Sequence, residues 1–142
     1  MITYVNLTLK LEKLREYALY LKGYQKYTVV ELEKDHTLQG AVLHYLQLAI
    51  ECVIDIGEMM ISELKLRKPE EAREVIKILA EHKIVTAQFA KRFSPAIGFR
   101  NILVHEYVDV DLRRVHHYLQ HDLGDFDFFA KAIAKFAVKK EK

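Results

Sequence analysis

Leucines at positions 7, 11, 14 and 21, with Ala18 completing the row, recur at alternating four- and three-residue spacing. Such a stripe predicts an amphipathic helix over about Leu7 to Leu21, with Asn6 placed to cap it and Gly23 beyond its end. The same pattern predicts a long helix from about Asp35 to Leu64. Its stripe is Leu38, Val42, Tyr45, Ala49, Cys52, Ile56 and Met59, widened by Leu46, Val53 and Met60. Gly40 and Gly57 each weaken it by roughly 1 kcal/mol relative to alanine unless packing requires them. Between these two helices, Thr28 to Glu31 has capping-box spacing and predicts a short helical turn.

Pro69 suits the first turn of another helix, carrying Ala72, Val75, Ile76 and Leu79, with Glu70 and Glu71 at its positive end. One more is expected after Thr86, either kinked or restarted at Ser94-Pro95. A last helix follows Asp109 to Asp111, its apolar face made by Val115, Leu119, Leu123, Phe126, Ala130, Ile133 and Ala137. Residues 139–142 are expected to fray. The whole predicts an all-α, antiparallel up-and-down bundle, a single domain over 1–142 with four to five main helices.

Composition agrees. Only 5 Gly and 2 Pro occur in 142 residues, leaving few turns, and 51% hydrophobic residues suffice for one core. A net charge of +2 does not by itself announce a nucleic-acid partner. The single cysteine, Cys52, excludes an internal disulfide framework and fits a reducing compartment. The N-terminal stretch has charges every few residues instead of a signal peptide's apolar block. No apolar run of roughly 18 residues suggests a membrane span, so a cytoplasmic protein is expected.

Chemistry concentrates in Gly98 to Tyr107, GFRNILVHEY. At about 100° per residue, Arg100, Asn101, His105 and Tyr107 share a broad sector, with Phe99, Ile102 and Leu103 opposite and Val104 an exception. That wheel suggests a polar sector turned away from the core, on a helix ending near His105. Arginine grips phosphate through paired charge-assisted hydrogen bonds, and histidine moves protons near neutral pH. The pair suits metal-free RNA cleavage, in which a ribose 2′-OH attacks the adjacent phosphate. Spacing alone also fits a helix terminus with ordinary surface charges.

The segment R-N-I-L-V-H-E-Y resembles the R-N-x-x-x-H-x-Y signature of the HepT toxins of the HEPN superfamily. The similarity extends over nearly the whole chain, through the 41–60 segment and residues 108–133. It implies an all-α homodimer with both motifs at a shared cleft, and a ribonuclease acting on RNA, with tRNA the expected target. It implies Arg100 and His105 as the catalytic pair, with Asn101 beside them. Tyr107 matches the tyrosine that an MntA-type nucleotidyltransferase antitoxin modifies with AMP, placing a bulky anion beside Arg100. Neither a metal nor a cofactor is implied. Asp55, in a segment where similar chains carry an acidic residue near the cleft, would orient His105 or pair with Arg100, or else belong to a solvated edge.

The alternative is a non-catalytic nucleotide- or substrate-binding partner of a minimal nucleotidyltransferase. Other features are weaker. His117 and His121 have ligand-like spacing but lack a matched third ligand. Tyr17, Tyr20, Tyr24 and Tyr27 suit packing or a dimer surface. Lys91, Arg92, Arg113 and Arg114 would steer RNA or simply face solvent.

Overall fold

A computed structural model of the chain describes residues 4–105 and 110–141. Among the described residues there are seven helices and no strand: α1 (Tyr4–Gly23), α2 (Val29–Lys34), α3 (His36–Glu63), α4 (Ala72–Glu81), α5 (Ala87–His105), α6 (Leu112–His121) and α7 (Gly124–Glu141). They form an antiparallel helical bundle around α3, against which α1, α4, α5 and α7 pack, while α2 meets α6.

The expected stripes are the ones buried. Leu7, Leu11, Leu14 and Leu21 of α1 face Val42, Leu46, Ala49, Val53 and Ile56 of α3. Cys52 is buried among them, where desolvation pushes its thiol pKa up. By length and composition α3 could cross a membrane, which corrects the expectation that no stretch comes near that limit. Yet 56% of its apolar window is buried inside the bundle, so its apolarity belongs to a helix surrounded by others.

Several boundaries differ from those the sequence predicts. α1 is already helical at Tyr4, so Asn6 lies within its first turn and does not cap it. Thr28 closes the predicted capping box, accepting from the Glu31 N–H while the Glu31 carboxylate accepts from the Thr28 N–H, both at 3.1 Å. Pro69 precedes α4, whose cap is Glu71, so the first-turn proline expected there is not found. α5 runs through Ser94-Pro95 as one element, which rules out a restart. The last predicted helix is two, α6 and α7, separated at Asp122 and Leu123. α7 reaches Glu141, taking in residues 139–141 of the stretch expected to fray.

Gly57 has a packing reason. A Cβ there would collide with Val75 Cγ1, so its hydrogen lets α4 sit hard against α3. Nothing lies within 4 Å of a Cβ built at Gly40, which has no such role. The close α3–α4 approach brings the start of α4 beside the C-terminal part of α5.

Candidate active site

Arg100 does not turn away from the core as the helical wheel suggested. Phe89, Phe93, Ala96 and Leu103 are buried, and with Arg100 they form one row at 4-3-4-3 spacing. The arginine therefore occupies a core-facing position of α5, near the end of the bundle. Ile102, assigned to the apolar side, is 36% exposed, and Phe99 is half-buried. The wheel misled because α5 is covered from two sides, so its buried face lies between Phe99 and Ile97 and not opposite the motif.

Arg100 reaches a cleft of about 430 Å³ formed by α3, the approach to α4, and α5. Glu51, Asp55 and Glu58 of α3 line it from one helical face, and Glu70 and Glu71 line it from the segment before α4. Among the described residues no carboxylate lies within 4.0 Å of the guanidinium. Arg100 Nε is shut off from solvent with no hydrogen-bond partner. Among the described residues the site thus holds a guanidinium with a desolvated Nε left unpaired, framed by carboxylates that line the cleft without forming a direct pair with it.

Asp55 lines this cleft with Arg100, but its carboxylate is taken by Lys10 Nζ at 3.3 Å and not by Arg100. Both side chains are about half exposed, so the ion pair is weak and readily exchanged. Asn101 is exposed on the next face of α5. His105 is the last described residue of α5, with its side chain outside the described residues, so the expected helix end there falls at their edge; Tyr107 lies wholly outside them. The acidic frame was legible only in part. Asp55 stands out in the sequence, but Glu51 and Glu58 complete its row at i−4 and i+3, and Glu70 and Glu71 join it only through the fold.

The four basic residues flanking the motif divide between two surfaces. Arg92, Arg113 and Arg114 border a cleft of about 370 Å³ with an apolar floor that includes Leu46, Ile50 and Phe99. Arg92 is also committed to Asp125, donating from Nε at 2.8 Å, and lies over the rings of Phe89 and Phe128. Lys91 lies in a different groove, between α4 and α5. His116 is structural: its Nε2 lies 3.1 Å from the Tyr27 carbonyl, positioned to donate to it, and beside it Gln120 donates to the Gln25 carbonyl. His117 and His121 have ring centroids 4.5 Å apart, and among the described residues no group of three or more potential metal ligands exists. Tyr17, Tyr20 and Tyr24 gather around Tyr45 of α3, with Tyr27 against Tyr24.

Fold and site together define an all-α bundle of the HEPN type, with an arginine that has no ion-pair partner among the described residues, five residues before a histidine of the same helix. The family described as Ribonuclease HepT-like matches residues 9–133. The chain belongs to that family. It is 33% identical over 103 residues to "mRNA nuclease HepT" of Shewanella oneidensis, covering 72% of this chain and 77% of that protein. It is 28% identical over 133 residues to "tRNA nuclease HepT" of Aphanizomenon flos-aquae, covering 94% and 90% respectively. The solved structure of a tri-AMPylated Shewanella oneidensis HEPN toxin in complex with an MNT antitoxin superposes with a TM-score of 0.84. That comparison has 26% identity and covers 94% of this chain and 99% of the other.

Proposed function

We propose that this chain is the ribonuclease toxin of a toxin–antitoxin pair, cleaving RNA through Arg100 and His105 as a homodimer. The observation that carries the reading is the state of Arg100: on the core-facing row of α5, its Nε desolvated, and among the described residues without a carboxylate partner. A cation kept in that state lacks an anion. His105 lies five residues further on, about 7.5 Å along the helix axis and roughly 140° around it. A phosphodiester spans such a separation. Family membership and the nuclease names of two relatives support the same reading.

In the reaction, the ribose 2′-oxygen forms a bond to phosphorus and the bond to the 5′-oxygen of the next nucleotide breaks. The products are a cyclic phosphate and a free 5′-hydroxyl. His105 handles a proton of this exchange, at the attacking or the departing oxygen. Arg100 holds the nonbridging oxygens, whose charge grows in the crowded transition state, and its desolvated surroundings strengthen that hold. Asn101 positions RNA beside them. Asp55, which lines the cleft with Arg100, orients one of the pair once Lys10 releases it.

The partner is a minimal nucleotidyltransferase that moves AMP from ATP onto Tyr107, placing phosphate where the RNA phosphate would sit. The AMP-bearing toxin seen with its MNT antitoxin in Shewanella oneidensis supports that role. The substrate is RNA in the cytoplasm, with tRNA the first to test, because the relative matching 94% of this chain is named a tRNA nuclease.

The test is cleavage of tRNA and total RNA by purified wild-type, Arg100→Ala and His105→Ala protein. Each substitution should lower the rate by roughly 10²–10⁴-fold. Equal degradation by all three would assign the activity to a contaminant. Incubation with the cognate nucleotidyltransferase and ATP should add AMP mass to wild-type protein and none to Tyr107→Phe.

A further inference from the structure

A second row of residues on α5, distinct from the row that carries Arg100, leads to the same place. Lys91, Ser94, Gly98, Asn101 and His105 follow one another at 3-4-3-4 spacing. They form a single line along the helix, about 21 Å from Lys91 to His105. Lys91 and Ser94 line the groove between α4 and α5, together with Arg73 and Lys77 of α4. The groove encloses about 840 Å³.

Gly98 is the gap in this line, and another element fills it. A Cβ at that position would collide with Arg73 Nη2, and the rest of that guanidinium lies against the same spot. Arg73 thus reaches across from α4 and lays its charge on α5 between Ser94 and Asn101. Among the described residues, Arg73, Lys77 and Lys91 form no ion pair. The groove's carboxylate, Glu81, is already held by Arg67 at 2.9 Å, which keeps its pKa below the usual carboxylate value. Among the described residues the groove therefore carries three cations without an ion-pair partner above an apolar floor that includes Ile76, Ala80 and Ile97, and its α5 wall shares a helical row with His105.

We propose that this α4–α5 groove holds the sugar-phosphate backbone of single-stranded RNA leading to the cleaved linkage. Arg73 is a phosphate-binding residue, and Gly98 is the opening that lets it reach the track. This rests on the ribonuclease reading above. Phosphate suits the groove because its donors are cations and a hydroxyl set in a line, without an aromatic platform on which bases would stack.

Gly98→Ala is the sharpest probe. The methyl meets the far end of a flexible side chain, so the guanidinium moves aside and the fold survives; alanine also favours the helix. The variants Gly98→Ala, Arg73→Gln, Arg73→Lys and Lys91→Gln are made in a His105→Ala background, so that RNA is bound but not cut. Binding of short fluorescein-labelled single-stranded RNAs of increasing length is followed by anisotropy across a salt series, beside thermal melting. Gly98→Ala should melt at or above the parent temperature yet bind RNA several-fold more weakly. Arg73→Gln and Lys91→Gln should also weaken binding, whatever the RNA sequence. Each should lower the log–log salt slope by roughly 0.7 for every phosphate no longer neutralised. The weakening should grow with RNA length, and Arg73→Lys should recover part of the affinity. In the His105-containing protein the same changes should raise KM more than they lower kcat. Unchanged affinity and salt slope in Gly98→Ala and Arg73→Gln, with wild-type cleavage intact, would overturn the track but not the nuclease. Loss of nucleotidyltransferase binding with RNA affinity unchanged would assign the groove to the protein partner and also overturn it. A wild-type protein that neither binds nor cleaves RNA would sink the underlying reading first.

Discussion

Arg100 shows how one residue can satisfy a periodic pattern and defeat its interpretation. It fills a core position between Ala96 and Leu103, where an aliphatic side chain would seal the end of the bundle. A charge there costs stability unless it is hydrogen-bonded, and its Nε finds no partner among the described residues. Arg100→Leu should therefore give an inactive protein that resists urea as well as the parent or better. Gly57 and Gly40 make a matched pair at the same scale. Gly57→Ala drives a methyl into Val75 and should lower stability by about 1–3 kcal/mol. Gly40→Ala meets nothing and should raise it by roughly 0.5–1 kcal/mol, both read from urea midpoints.

Tyr118 supplies a pH dependence. Its hydroxyl is buried without a hydrogen-bond partner among the described residues, and burial pushes its pKa far above the ordinary phenol value, with Asp125 and Asp122 adding to the shift. The folded chain keeps this proton where the unfolded chain, titrating near pH ~10, releases it. Its contribution to stability is thus complete below pH ~10 and is lost as pH rises through the folded value. Wild-type unfolding midpoints should fall above that pH. Tyr118→Phe should blunt the fall without abolishing it, because Tyr20 and Tyr24 are shifted upward too.

Among the helices, the elements end by rules the residue types conceal. α3 and α4 both close with a lysine in the left-handed region, Lys65 at φ 56° and Lys83 at φ 59°. The Leu66 N–H reaches back to the Ile61 carbonyl and the Lys65 N–H to Ser62; Ile84 and Lys83 repeat the pattern on Leu79 and Ala80. These are the paired bonds that glycine usually completes. Lys83→Gly should relieve strain and stabilise by about 0.5–1 kcal/mol in thermal melts. Thr28, by contrast, announced its turn openly, since the capping box needs only two side chains three apart.

For the whole molecule, the dimer proposed above makes a measurable claim. Ile102 is a large apolar side chain exposed beside Arg100 and Asn101, where a second copy would cover it. Sedimentation should give twice the 16.7 kDa chain mass, and Ile102→Glu should yield a helical monomer with little nuclease activity. A monomeric wild type with full activity would contradict the dimer and leave the site chemistry standing.

Helix stripes, the capping box, the motif and its family resemblance were all readable along the chain, because each depends on residues within a few turns of one another. Asn101, His105 and Asp55 were named on the same basis. Where Arg100 faces was not readable, since a helix covered on two sides chooses its buried face by what packs on it. Nor was the acidic frame of Glu58, Glu70 and Glu71, or the reach of Arg73 over Gly98. These join side chains from α3, α4 and α5, whose meeting is set by how closely α4 can approach Gly57, a distance that no spacing along the chain encodes.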